Sequence, residues 1–297
     1  MTALTIDRKQ SAAGRLASAL RPAAGLLPFG LYALLFLGLP TLAIAIGAFS
    51  APTGGATLHN LSLASKGVYR TGFVTSLELA ILTSVVPGIL GLVIAYAVHT
   101  APRGKLLRRA VTTASGVFAN FGGVPLAFLF IATLGTTGVA TKWLNAIGIN
   151  PYEHGFNLYT FSGIAIVYMY FQIPLMVLVI TPALEGLRPA WREAAHGLGA
   201  GSRTYWRLVG LPVLAPSVLG AVLLLFGSGF SAYATAQALT SGSVALTPIQ
   251  IGSFLSGNVI SGQENVGKAL GLGMIVIVGA VMVVYVLLQR RASRWLR

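Results

Sequence analysis

The sequence predicts an all-α membrane protein with six transmembrane helices and both termini on the cytoplasmic side. Three observations carry this. Of 297 residues, 55% are apolar and only 9% are charged, with a mean hydropathy of +0.80, far from the roughly one-quarter charged composition of soluble domains. Six apolar stretches approach the roughly 20 helical residues that about 30 Å of hydrocarbon requires. The connections between them alternate between strongly basic and weakly charged.

The spans are expected near 26–49, 73–98, 110–134, 159–181, 213–233 and 269–288, forming a transmembrane domain over 26–289. Residues 1–25 precede it as a cytoplasmic segment carrying Leu16 and Leu20 among basic residues, read as unstructured rather than as an interfacial helix. The first span is too long for a signal peptide and lacks an early cleavage-like site. It is expected to remain attached. Basic residues cluster before the first span, after the second (Arg103, Lys105, Arg108, Arg109), after the fourth (Arg188, Arg192, Arg203, Arg207) and in the tail 290–297, together sixteen of the twenty. The other four, Lys66, Arg70, Lys142 and Lys268, lie in the opposite connections. The positive-inside rule is thus satisfied throughout. It also accounts for the net charge of +14, and no basic fold motif or aromatic interleaving points to nucleic acid. No cysteine is present, which excludes disulfides and thiolate chemistry.

The connection 182–212 has the pattern of a structured element. Pro189 suits the first turn of a helix, where its missing amide donor is no loss. Trp191, Ala194, Ala195 and Leu198 then fall at i, i+3, i+4 and i+7 and make one apolar face. Gly199 and Gly201 are read as a left-handed interruption, with Ser202 capping a second short helix through Trp206 and Leu208. Leu211-Pro212 marks return to the membrane. A surface-lying amphipathic helix is the alternative reading of such periodicity.

The spacing of Glu193-Ala194-Ala195, Gly199 six residues later, and Leu211-Pro212 resembles the EAA loop of ABC importer permeases of the type I, or MetI-like, fold. That resemblance implies coupling helices seated in a groove of an ATPase subunit, with Trp191, Glu193, Ala194, Ala195, Leu198, Gly199, Leu211 and Pro212 carrying the contact. Leu198 stands where the family often has aspartate. The resemblance extends over about residues 70–290 through Ser76-Leu77-Glu78-Leu79-Ala80, Phe121-Gly122-Gly123-Val124-Pro125-Leu126-Ala127 and Phe230-Ser231-Ala232-Tyr233-Ala234-Thr235. These fragments lean toward the branch handling polyamines, ferric iron and aminoalkylphosphonates, implying a polyamine such as spermidine or putrescine as cargo, with iron, aminoalkylphosphonate or thiamine-like solutes behind it. The implied partners are a second permease, different rather than identical, two ATPase subunits that bind ATP and magnesium, and an extracytoplasmic binding protein. The implied location is the bacterial inner membrane.

Charge within an apolar span is costly and therefore marks function by default. Glu78 is the clear instance, with pairing to Lys66 or Arg70 as its alternative role. Gly122 and Gly123, with Pro125, predict a local irregularity in the third span, tolerable only beside protein or a cavity. Tyr233, Gln237 and Thr240 follow the fifth span, where they would either face cargo or, for Tyr233, belong to an interfacial belt. Glu153 and Glu264 in outer connections suit docking or ordinary solvation. There is no phosphate-cradling Gly-rich loop, no metal-ligand set and no nucleophile with a base, so neither enzyme nor metal site is expected. An ion-coupled secondary transporter, the rival class, would show internal repeats and midplane ionisable pairs. Neither is evident.

Overall fold

A computed structural model describes residues 26–52, 54–101, 104–257 and 263–293. The expectations for residues 1–25 and for the end of the tail lie outside these residues. Among them twelve helices follow in order: α1 (Leu26–Ala48), α2 (His59–Ala64), α3 (Gly67–Thr100), α4 (Gly104–Asn120), α5 (Gly123–Leu134), α6 (Val139–Ala146), α7 (Phe161–Glu185), α8 (Pro189–Gly197), α9 (Ser202–Ser231), α10 (Ala234–Thr240), α11 (Thr247–Leu255) and α12 (Val266–Ser293). Six stretches are long and apolar enough to cross a membrane.

The centre is a three-helix packing of α3, α7 and α9, with α4 laid along α7, and α12 joining α9 to α1. Small residues make this possible. At Gly91 a Cβ would fall 2.6 Å from Met176 Cβ and 2.9 Å from the Ile173 carbonyl, so α3 and α7 approach with backbone nearly touching side-chain root. Such close approach maximises dispersion between helices that gain nothing from hiding apolar surface in lipid. Tyr168, Ile164, Leu126 and Leu158 fill the core of one half, and Met176, Ile180, Leu184 and Leu225 that of the other. Prolines 87, 174, 182 and 216 sit inside α3, α7 and α9.

Two spans differ from their expected outlines. The third does not run unbroken over 110–134: α4 begins at Gly104, ends at Asn120, and α5 restarts at Gly123. The fifth does not begin at Leu211-Pro212. One helix runs from Ser202 to Ser231, crossing Trp206–Gly210 as a π-turn in which the Leu211 amide bonds the Trp206 carbonyl five residues back. Pro212 lacks an amide to continue the ordinary ladder, and the widened turn accommodates it without ending the helix. The span also stops before Tyr233.

Candidate functional site

The amphipathic segment of 182–212 forms the expected helix–turn–helix. α8 opens with Arg188 at the N-cap and Pro189 in its first turn. The Arg188 guanidinium lies over the Trp191 ring, 6.0 Å from its centroid, which fixes the ring at the foot of the helix. Leu198 sits one residue beyond the helix end rather than within it. Gly199 follows at φ +77°, and the Ala200 amide reaches back to the Ala195 carbonyl at 2.9 Å, a left-handed C-terminal closure that favours glycine. Gly201 is extended, at φ −69°, and itself occupies the N-cap of α9; Ser202 is the first helical residue and caps nothing. The correction is local. A serine in the first turn has its hydroxyl past the amides it would have to receive.

No residue of α8 is buried, and Leu198 is 88% exposed. Trp191, Glu193 and Ala194 are exposed and Ala195 is half-covered. Leu211 is exposed beside Pro212, immediately after the π-turn. The segment is held out from the bundle on two hinge-like turns, with its apolar side uncovered.

The second constellation joins the two interrupted spans. At the first break the Gly123 backbone, at φ +72°, meets one side chain from 112 residues later: the Gly123 amide donates to Thr235 Oγ1 at 2.9 Å, and that hydroxyl donates to the Gly123 carbonyl at 3.2 Å. One hydroxyl can do both, having one donor and two lone pairs. At the second break, between α9 and α10, the Tyr168 hydroxyl donates to the Ala232 carbonyl at 2.7 Å. Tyr170 packs its ring against Phe118, Phe121 and Phe130, on both sides of the first break. Tyr168 and Tyr170 sit seven and nine residues into the 25-residue α7, so both breaks lie roughly 10–14 Å from its outer end. Phe121 and Val124 are exposed at the first break.

Of the residues expected to line a pathway, Gly122, Gly123, Tyr233 and Gln237 are gathered here, on the first break and on the start of α10. Tyr233 also walls a groove of about 400 Å³ with Ser231, Pro248, Gly252 and Met274. Gln237 keeps its Oε1 buried with no hydrogen-bond partner. Glu78 is not brought to them. Ser76 faces inward and accepts from the Thr247 amide at 2.9 Å; Glu78, about 200° further around α3, is exposed and forms no ion pair with Lys66 or Arg70.

Sequence reasoning passed over four residues. Thr235 and Tyr168, which satisfy the breaks, carry no pattern of their own. Gln172, fully buried, donates to the Leu225 carbonyl at 2.9 Å and ties α7 to α9; an amide amid an apolar span was the signal available. Glu185, at the end of α7, pairs with Arg108 at 3.1 Å, a contact only the folding of α4 against α7 creates. Among the described residues no three His, Asp or Glu side chains gather.

A bundle of apolar helices with two breaks closed by distant side chains, and with an uncovered amphipathic hairpin at one end, has the build of a multi-span membrane component. The chain belongs to the family of binding-protein-dependent transport system inner membrane components, whose family model matches residues 90–297. Members of this family are membrane subunits, not enzymes. The sulfate transport system permease protein CysT of Escherichia coli K12 is 30% identical over 149 residues, 50% of each chain. The thiamine transport system permease protein ThiP of Brucella suis is 29% identical over 139 residues, 44% of this chain and 25% of ThiP. The chain thus spans half the length of the first relative and a quarter of the second. A crystal structure of a bacterial ABC transporter involved in alginate import superposes with a TM-score of 0.73 at 19% identity, covering 93% of this chain and 99% of that one. It shares the fold.

Proposed function

We propose that this chain is the permease subunit of a binding-protein-dependent ABC importer, one half of a translocation pathway, driven through α8 and the start of α9. The observation that carries the reading is the uncovered amphipathic hairpin over 189–199 at one end of a bundle with six helices long and apolar enough to cross a membrane. Irregular backbone in a membrane protein lies against protein or a water-filled cavity, and Phe121 and Val124 at the first break are exposed on the single chain. A second permease covering that face, with the pathway between the two, meets the requirement. A different permease is favoured over a copy, following the resemblance, and subunit masses of the purified complex distinguish the two.

ATP and magnesium belong to a separate ATPase, for which Trp191, Glu193, Ala194, Ala195, Leu198 and Gly199 form the contact and Leu211-Pro212 the root. Cargo arrives from an extracytoplasmic binding protein, as in a related alginate transporter solved in complex with its periplasmic protein. Sulfate and thiamine permeases among the relatives support a small charged solute and lend no support to the polyamine branch. We favour an oxyanion such as sulfate. A cationic solute, polyamine or thiamine, is the second reading, favoured by the unpaired carboxylate of Glu78. The test is ATP-dependent uptake in vesicles holding the whole complex. Ala194→Arg, at an exposed position, should leave the thermal midpoint within about 0.5 kcal/mol equivalent and abolish co-purification of the ATPase. Undiminished co-purification would remove α8 from the interface. A panel of sulfate, thiamine and spermidine against the binding protein decides the cargo.

A further inference from the structure

We propose that the foot of α9 binds an anionic phospholipid of the cytoplasmic leaflet. The inference requires only that α9 crosses the membrane with Ser202 at its cytoplasmic end, and is independent of cargo; its residues lie at the start of α9, next to those proposed for the ATPase contact.

Along α9 the positions 203, 207, 211, 215 and 219 recur every four residues, in a series that the widened turn at Trp206–Gly210 crosses. Its first two members are Arg203 and Arg207, both exposed. They wall a groove of about 510 Å³ together with Thr204 and Leu208. Among the described residues neither guanidinium has a carboxylate or hydrogen-bond partner; the Arg–carboxylate pair formed elsewhere is Arg108–Glu185. Its last three members, Leu211, Ala215 and Leu219, wall a second groove of about 560 Å³ with Leu92, Val93, Tyr96, Leu184, Trp206 and others, lined by apolar carbon almost throughout.

Position fits the ligand. The helix from Leu211 to Ser231 has 21 residues, about 31 Å, the thickness of the hydrocarbon layer. Leu211 therefore stands at its cytoplasmic boundary, and Arg207 and Arg203 one and two turns below it, at headgroup level. A phosphodiester at the two guanidinium groups, with an acyl chain running up the groove between α3 and α9, satisfies both halves at once. Arginine matches phosphate through its planar fork of donors. The Trp206 ring, packed on Tyr96 at a 5.2 Å centroid distance, lies where the chain would enter the groove. A protein occupant would need an acidic foot beneath an apolar ridge at this same boundary. A lipid has that polarity by construction.

Two basic groups near an anionic surface give an enrichment of roughly thirtyfold over a neutral lipid. The experiment uses Trp206 as reporter. The full chain with Trp143→Phe, Trp191→Phe and Trp295→Phe is placed in phosphatidylcholine vesicles containing about one fifth of chain-brominated phosphatidylglycerol or, in the second arm, chain-brominated phosphatidylcholine. With that enrichment the site is about nine-tenths occupied by the first quencher and about one-fifth by the second. Quenching of Trp206 should be several times stronger in the glycerol arm, and inorganic phosphate should not reverse it. Arg203→Gln with Arg207→Gln should bring the two arms together, whereas Arg203→Lys with Arg207→Lys retains most of the difference. Should the glutamine pair fail to insert, Leu211→Trp read by co-purified phosphatidylglycerol replaces it, and should lower the lipid retained per chain. Equal quenching in both arms overturns the proposal, as does selectivity that survives loss of both arginines or retention unaltered by Leu211→Trp. Reversal by phosphate would assign the arginines to a free anion instead.

Discussion

Replacing Thr235 by valine removes one hydroxyl and keeps the side chain's shape and volume. Thr235 is 3% exposed, and its hydroxyl holds both the amide and the carbonyl of Gly123, at 2.9 and 3.2 Å. The variant leaves two part-buried backbone groups without partners. Stranding a buried polar group costs about 1–3 kcal/mol. Hydrogen bonds between membrane helices have averaged nearer ~0.6 kcal/mol, because the membrane-inserted reference state finds other partners. Two groups together place the loss for Thr235→Val between about 1 and 4 kcal/mol. The assay is equilibrium unfolding of the full chain in mixed micelles, with Thr235→Ser as companion, since serine restores the hydroxyl and gives up one methyl. Valine should be clearly the less stable variant, and the first break should gain proteolytic or exchange accessibility before the rest of the bundle. A valine variant within about 0.5 kcal/mol of the parent, or serine no better than valine, would refute the reasoning that one side chain closes the break.

Three other outcomes follow from the packing. Gly91→Ala should destabilise the bundle by roughly 1–3 kcal/mol, because the new methyl meets Met176 Cβ at 2.6 Å and the Ile173 carbonyl at 2.9 Å; Gly116→Ala, with nothing within 4 Å, should be neutral in the same unfolding assay. A double-mutant cycle on Arg108 and Glu185, whose side chains are 35% and 46% exposed, should yield below about 1 kcal/mol and shrink in salt. Tyr152, outside the spans, donates to the Leu134 carbonyl at 2.8 Å, and burial, then its neighbour Tyr159, holds its phenol above the usual value of 10.0. A raised acid stabilises the fold while protonated, so this contribution is complete below pH 10 and is lost as pH rises through the folded value. Tyr152→Phe should flatten the alkaline limb of stability against pH.

The segment at 189–199 was legible residue by residue. Pro189, the period of Trp191, Ala194 and Ala195, and the left-handed Gly199 are local properties of consecutive residues, and helices and turns answer to those. Ser202 and Leu211-Pro212 were misread for a related reason. Serine and proline mark helix starts when the chain is free to start there, but α9 already had a direction, and a π-turn absorbed the missing amide of Pro212. Glu78 was legible as an anomaly and not as a member of a group, because facing is decided by which side of α3 meets α7 and α9.

Hydropathy sufficed for six helices long and apolar enough to cross a membrane, since the cost of an unbonded amide or a buried charge in lipid is large and acts on each segment alone. Gly122, Gly123 and Pro125 likewise announced that the third span would be irregular. What closed that irregularity was decided only in three dimensions. A hydroxyl from Thr235 and another from Tyr168 satisfy backbone groups 112 and 64 residues away. Both residue types are compatible with many surroundings, and only the packing of α10 on α5 and of the second break on α7 brings them to the groups that lack a partner.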